Sequence, residues 1–330
     1  MRPFAAQRES VRAFRARLEP LCAIGQERES MRAIGQERKP LRASRAQRQS
    51  VRARAQERQS LRAFGQARKP LRACRGEVEP LRAVWPQREP VCACLFLACE
   101  KPVRPRPVDF GAASTAALEA MYAAAALALA AIQSLATRGR NPVTEALDGA
   151  ADIEEWAHYP DGDARDRGGR GRYYYHVHSA EDIGEREHGH FHVFLDPPAC
   201  EADLAPTHVI GLAMDSAGGL IRLFTTNGWV TGEYWREAEA IVAALDGFSV
   251  ESDPKRSDLD EWVSSVVRLY RPQIVDLLRG RDAALREIFT RDPASDALED
   301  RTIRVLSTMD VDLLQQICAL ESALGDAATG

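Results

Sequence analysis

Hydrophobic and polar positions alternate in the middle of the chain and follow helical spacing on either side of it. Ser114 and Thr115 can cap an apolar helix that continues to about residue 136. Asn141-Pro142 should end it, and a short helix is predicted over 143–147. The other predicted helices lie towards the carboxyl terminus, and the first of them covers 233–246. A second begins at Ser257, which forms a capping box with Asp260, and it either kinks at Pro272 or ends there and is followed by a new helix. The last covers 311–324 and is capped by Asp310.

About five short strands with a two-residue period are predicted between these helices. Residues 173–178 (YYYHVH) and 188–194 (HGHFHVF) are expected to pair as an antiparallel hairpin. Strands at 207–215, 220–226 and 229–231 follow, because Asn227-Gly228 favours a type I′ turn between the last two. The pattern predicts an α+β fold: an antiparallel sheet of about five strands, a preceding helix, and carboxyl-terminal helices on its apolar face.

The side chains of the predicted hairpin are divided between two faces, one carrying the even-numbered and the other the odd-numbered residues. If His178 lies opposite His188, then His176 lies opposite His190 and Tyr174 opposite His192. One face carries polar rings: Tyr174, His176, His178, His188, His190 and His192. The other face carries apolar side chains and one glycine: Tyr173, Tyr175, Val177, Gly189, Phe191 and Val193. A shift of one residue would bury the imidazoles and expose the aromatic rings, so burial favours this register.

The histidine face predicts a metal-binding or acid–base site, and all seven histidines lie between residues 158 and 208. Histidines two apart on a strand point the same way, ~6.5–7 Å apart, and can share one Zn²⁺, Fe²⁺ or Ni²⁺ ion. The candidate metal ligands are His176, His178, His190 and His192. The candidate catalytic residues adjoin them: Tyr174, Glu187 and His188. Nearby carboxylates would complete the shell or act as a base: Glu187, Asp161 or Asp163.

Other functions stay open at this point. Crowded imidazoles can perform acid–base chemistry without a metal, since they titrate near neutrality. A non-catalytic module that binds a small ligand or a partner is the alternative. The string HGHFHVF also matches the histidine-triad pattern of nucleotide hydrolases superficially, although Gly189 occupies a spacer position and a long segment follows. His158 can join the site, whereas His208 is expected to be a structural histidine.

The first hundred residues follow a decamer repeat, for example MRAIGQERKP and LRASRAQRQS, with 22 Lys+Arg against 10 Asp+Glu. The remaining residues carry 22 Lys+Arg against 38 Asp+Glu. A ten-residue unit is too short for a solenoid repeat or a useful helix. Residues 1–107, including a proline linker, are therefore predicted to be a disordered extension or the product of a misplaced start, and 108–330 to be globular. A genuine basic arm would favour nucleic acid as a partner.

Localisation is expected to be cytoplasmic. The apolar run 120–132 is shorter than the ~20 residues of a membrane span and predicts a buried helix, without a membrane partner. The first twenty residues are rich in Arg and lack the apolar core of a signal peptide. Only Cys200 and Cys318 follow residue 100, which is typical of a reducing compartment.

Several long strings are spread over residues 110–320: EEWAHYPDGD, YYYHVH, EHGHFHVF, THVIGLAMD, IRLFTTNGWVTGE, RLYRPQIVDLL and LEDRTIRVLS. On these strings the chain resembles a family of uncharacterised bacterial proteins that share a domain of unknown function. The decamer repeat has no counterpart in that family. The resemblance implies one domain over 110–320 and supplies no activity.

Overall fold

The computed structural model describes residues 102–104, 108–148, 150, 152–178, 186–197, 201 and 204–327 of the 330-residue chain. The decamer repeat, predicted to be disordered, lies outside the described residues. Val103 of the predicted proline linker lies within them and forms a parallel bridge with Ser307. A residue upstream of position 108 is therefore bridged to the segment that contains Ser307.

Six strands form one sheet, and each strand is antiparallel to its neighbour in the sequence order β1-β2-β3-β4-β5-β6. The strands are β1 (Tyr159–Arg165), β2 (Gly171–Val177), β3 (Gly189–Leu195), β4 (Thr207–Met214), β5 (Leu220–Thr226) and β6 (Val305–Asp310). The predicted α+β class and antiparallel sheet are confirmed.

The helices precede, interrupt and follow the sheet in sequence. They are α1 (Thr115–Thr137), α2 (Pro142–Ala146), α3 (Gly228–Thr231), α4 (Ala238–Leu245), α5 (Ser257–Leu269), α6 (Arg271–Arg291) and α7 (Leu313–Ala327). Short 3₁₀ turns lie at Phe110–Ala112, Pro254–Arg256 and Ala297–Glu299. The sequence predicted a preceding helix and carboxyl-terminal helices, and both are present.

Helix α1 is the one described helix whose length and apolar composition would suffice to cross a membrane. Ser114 caps it as predicted, because its hydroxyl accepts a hydrogen bond from the amide of Ala117. Its buried side chains, among them Leu118 and Leu135, pack in the core, and the helix lies against α5 and α7. The segment is therefore a core helix of this domain, as the short apolar run predicted.

The β2–β3 hairpin has the predicted register: His176 pairs with His190 and Tyr174 with His192. Its odd-numbered side chains face the core, where Phe191 packs on Trp262 of α5 with ring centroids 5.4 Å apart. The even-numbered positions point to the opposite face of the sheet. The imidazoles of His190 and His192 are buried as well, although the sequence pattern predicted that they would stay exposed, so the packing of the aromatic face on α5 sets the parity that gathers the histidines.

The helical layer is fixed to the odd-numbered face by buried hydrogen bonds. The hydroxyl of Tyr173 donates to Asp260 of α5 at 2.7 Å. Ser307 of β6 donates to the carbonyl of Leu277 in α6, also at 2.7 Å. Both contacts lie on the core side, so α5 and α6 support the sheet from the face away from the histidines.

The predicted hairpin at Asn227-Gly228 is wrong. Asn227 has extended backbone angles and caps the short helix α3, while its side-chain amide donates to the carbonyl of Ala297. The expected strand 229–231 is helical, and β5 pairs instead with β6, which begins at Val305. Tertiary hydrogen bonds from a distant segment have overridden the local turn preference.

Three further predicted elements differ in the structure. Asp260 does not complete a capping box, because α5 begins without a side-chain cap and the carboxylate accepts from Tyr173 and Ser252. Asp310 is the last residue of β6 and does not cap the last helix. The backbone amide of Gln315 in that helix donates to the carboxylate of Asp312 instead. The predicted helix 233–246 begins later, at Ala238. Strand β1 was not among the predicted strands.

Candidate metal centre

Three imidazoles meet on the even-numbered face of the β2–β3 hairpin. Nε2 of His176 lies 2.7 Å from Nε2 of His190, and Nε2 of His178 lies 3.1 Å from the first and 3.3 Å from the second. His192 is next to them: one ring nitrogen from each of His176, His190 and His192 lies within 4.8 Å of the others. These histidines form a cluster that can hold a metal ion, and we call it the histidine cluster.

Glu187 orients the ring of His190. Its Oε1 lies 2.8 Å from Nδ1 of His190, and its Oε2 accepts from the guanidinium of Arg222 at 2.5 Å. Burial opposes the charge on Glu187, but these two partners hold the pKa of the carboxyl below its ordinary value. A carboxylate can only accept, so Nδ1 of His190 carries the proton and Nε2 presents its lone pair to the cluster.

His208 of β4 extends the cluster into the sheet. Its Nε2 lies 2.9 Å from Nδ1 of His192, and its Nδ1 lies 3.2 Å from the hydroxyl of Thr226. The backbone amide of His208 donates to Glu233 at 2.8 Å. Sequence reasoning predicted a structural histidine here. No local pattern indicated this contact, because His208 reaches the cluster through a register shift between β3 and β4.

The buried imidazoles are neutral near pH 7. Burial is the main cause, and the neighbouring histidines add to it: the pKa of His176 falls to about 2 and that of His192 well below its ordinary value. Burial and the charge of Arg281 lower the pKa of His208 to about 3. A neutral imidazole keeps one lone pair, which is the form that binds a metal.

Tyr174 lies on the histidine face beside the cluster, with its ring centroid 5.5 Å from that of His176 and 5.3 Å from that of His192. Its ring lies against that of His158, with centroids 3.5 Å apart and planes 8° from parallel. Nδ1 of His158 is 3.0 Å from Asp163, while Asp161 is exposed on β1. Burial, followed by the charge of Asp163, raises the pKa of the Tyr174 hydroxyl. The sequence offered three carboxylates for the site, and Glu187 is the one that contacts a clustered imidazole.

His188 departs from its predicted face. Its Nδ1 is hydrogen-bonded to the hydroxyl of Tyr175 at 2.8 Å, and the two rings are nearly parallel. Strand β3 begins only at Gly189, so His188 precedes the paired strand and its side chain is not bound by the alternation. The imidazole of His188 therefore contacts Tyr175, whose ring belongs to the core face of the hairpin. Burial lowers its pKa.

A cavity of about 400 Å³ opens beside the hairpin. Its lining includes His178, Glu187 and His188, together with Ile153 and Glu155 from the segment before β1. One candidate ligand and the two predicted catalytic residues that precede β3 thus border the same space. A small molecule in it would contact the edge of the histidine cluster.

A family model described as "Domain of unknown function (DUF6969)" matches residues 122–311. The match covers the whole sheet and the histidine cluster, and it ends just after β6. No curated protein and no solved structure matches this chain.

Proposed function

Because the chain belongs to this family of unknown function, we propose from the site itself that the protein is a metalloprotein with a reactive divalent transition-metal centre. His176, His178 and His190 are its ligands through Nε2, and His192 lies next to them, with a ring nitrogen within 4.8 Å of those of His176 and His190. The convergence of three Nε2 atoms within 3.3 Å of one another carries the proposal.

The spacing of these nitrogens suits one ion. Two imidazole nitrogens at ~2.0–2.1 Å from the same metal lie about 3.3 Å apart in a tetrahedral shell and about 2.9 Å apart in an octahedral one. The observed separations of 2.7, 3.1 and 3.3 Å lie close to that range. A donor set of neutral imidazoles without thiolates favours Zn²⁺, Fe²⁺ or Ni²⁺ over Ca²⁺ or Mg²⁺.

The carboxylate behind His190 supports the same function. Metal-binding histidines usually donate their second ring N–H to a carboxylate, a carbonyl or water, which fixes the tautomer and the ring. Glu187 takes that place for His190, and His208 lies at the corresponding position behind His192. Both outer partners leave Nε2 of the inner ring available to the ion.

Hydrogen bonds between the imidazoles alone cannot occupy all the ring nitrogens that meet in the cluster. A proton between imidazoles bridges two nitrogens, whereas three Nε2 atoms meet here, and the low pKa values oppose a second proton. A metal ion accepts all three lone pairs at once.

The proposed centre is of the open type. Structural zinc sites are usually closed by four protein ligands, whereas three protein ligands leave a position for water or substrate. His178 is half-buried and borders the cavity, so the ion would be reachable from that side. A bound ion supplies Lewis-acid activation of a ligand there, which a merely structural metal would not offer.

The metal content of the purified full chain tests the proposal. After removal of metal with a chelator and reloading, we expect one Zn²⁺, Fe²⁺ or Ni²⁺ per chain by elemental analysis. His176→Ala and His190→Ala should each lose the ion, while circular dichroism shows that the fold is retained. His188→Ala is the matched control, because that imidazole lies on the same hairpin but is bonded to Tyr175.

Two results would contradict the proposed function. One is a wild-type chain that binds no transition metal at stoichiometric concentration. The other is an equal loss of metal in His188→Ala and His190→Ala, which would mean that the ligands lie elsewhere. If metal binds but Co²⁺-loaded protein shows no spectral change with small-molecule ligands, the centre is closed and structural.

A further inference from the structure

Two tryptophans and two arginines form a rim next to the histidine cluster. They are Trp156, Trp229, Arg301 and Arg304. Trp156 precedes β1, Trp229 lies in α3 after β5, and the two arginines precede β6. Segments that are far apart in sequence are thus brought to one place, and Trp156 joins it to His178.

Trp156 links the rim to the cluster. The edge of its indole contacts the ring of His178 with centroids 4.1 Å apart, and His176 lies 5.9 Å away. The indole is 49 % exposed, and the residue has a φ of +67°. A bulky residue adopts this backbone rarely and at a cost in free energy, and such strain is concentrated at binding sites. An exposed indole held in this way on a metal ligand is placed to contact a bound molecule.

Arg304 lies between the two indoles, with its Cζ 5.9 Å from the centre of each ring. Its carbonyl accepts from the amide of Asn227 at 3.0 Å, and the indole N–H of Trp229 donates to the carbonyl of Ile303 at 2.9 Å. Within the described part of the chain, no carboxylate forms an ion pair with Arg304. The backbone is therefore fixed while the guanidinium remains available.

Arg301 adds a second positive charge, with its Cζ 4.7 Å from the ring of Trp229. Its ion pair with Glu299 is 3.6 Å long, and both side chains are well exposed. An exposed pair of this kind contributes little and is screened by salt. The rim therefore combines two flat apolar surfaces with two guanidinium groups, of which that of Arg301 is paired with Glu299.

We propose that this rim binds the carboxylate of a small organic acid with a flat apolar body, which is the ligand or substrate of the metal centre. The inference rests on the proposed function and names its substrate class. A guanidinium matches a carboxylate through two parallel hydrogen bonds, and indole faces pack on flat apolar groups. A molecule held by Arg304 and by Trp156 lies against His178 and so reaches the ion.

Benzoate is the probe, benzamide its neutral isostere, and inorganic phosphate an anion without an apolar body. Each is titrated into the zinc-loaded full chain while tryptophan fluorescence and bound zinc are measured in the same sample. We expect benzoate to bind in the millimolar range and benzamide at least tenfold more weakly. Arg304→Gln should weaken benzoate binding about tenfold without loss of zinc. Arg279→Gln, which removes an exposed charge paired with Glu239, is the control and should leave it unchanged.

The outcomes separate the two proposals. Stoichiometric zinc with equal benzoate affinity in Arg304→Gln and wild type would overturn the inference and leave the metal centre intact. Equal affinities for benzoate and benzamide would do the same, because they exclude recognition of the charge. Binding of phosphate in place of benzoate would reject the organic acid. A chain that binds none of Zn²⁺, Fe²⁺ and Ni²⁺ would refute the proposed function itself, and the substrate class with it.

Discussion

Replacement of Glu187 by glutamine probes the proposed centre without touching a ligand. The two side chains have nearly the same shape, and the amide oxygen can still accept from Nδ1 of His190, now 2.8 Å from the carboxylate. The change removes the negative charge that faces His190 and Arg222. It therefore weakens the basicity of the ligand nitrogen while the geometry of the hairpin is kept.

The expected magnitude follows from the position of Glu187 behind a ligand. Loss of such an outer partner typically reduces metal affinity about 10- to 100-fold, or about 1.4–2.8 kcal/mol. The side chain of Glu187 is only 4 % exposed, so solvent screens its charge little. Arg222 would also be left without its partner and would repel the cation. Both effects act in the same direction.

Competition with a chromophoric chelator at about pH 7 measures the zinc affinity of wild type and Glu187→Gln. Glu261→Gln is the control, since Glu261 pairs with Arg268 on the surface of α5. We expect the control to match wild type within about twofold. Equal affinities of Glu187→Gln and wild type, together with loss of zinc in His190→Ala, would refute the argument that the carboxylate tunes this ligand.

Two further predictions concern buried polar groups. Tyr173→Phe removes a 2.7 Å hydrogen bond to the buried Asp260 and should lower the free energy of unfolding, measured in urea, by about 2 kcal/mol. An unchanged urea midpoint of the unfolding transition would contradict this. Burial raises the pKa of Glu233 to about 7 from 4.5, so the folded protein holds a proton that the unfolded chain releases. The free energy of unfolding should therefore fall as pH rises from 4.5 to about 7, by about 2 kcal/mol after allowance for the partial exposure of Glu233. Identical pH profiles of stability for Glu233→Gln and wild type would exclude that contribution.

The hairpin could be predicted from sequence because its two faces differ so strongly. Tyr173 and Phe191 must be buried, and on a strand this places Tyr174, His176 and His190 on the opposite side. The face on which a strand residue lies depends only on its neighbours in sequence, so it is independent of the rest of the fold. The proposed ligands on β2 and β3 therefore share a face whatever the tertiary contacts are.

The sheet edges could not be predicted in this way. Strand β1 is rich in Asp and Gly, and Asp163 even has a φ of +64°, which local preferences assign to a turn. Strand β6 is short and is defined by its pairing with β5 across a long connection. Asn227-Gly228 is likewise decided by a partner at Ala297. In each case the deciding interaction is remote in sequence.

The site shows the same division between local and remote causes. His208 reaches His192 through a register shift between β3 and β4, and Trp156 reaches His178 through a strained backbone. Neither feature has a local pattern. His188 left its predicted face because the strand begins one residue later. Sequence parity therefore predicted the inner ligands, while the outer contacts required the three-dimensional arrangement.

The order in which the chain can assemble follows from the position of the histidine cluster on one hairpin. The four clustered histidines span residues 176–192, whereas β6 joins the sheet only after the segment from Thr226 to Val305 has been closed. Loop-closure entropy rises with the length of the segment, and hairpins form within microseconds. We expect the cluster to gather early in folding and β6 to join late. A metal ion present during refolding would then act on the nucleus and accelerate its formation, in addition to stabilising the finished protein.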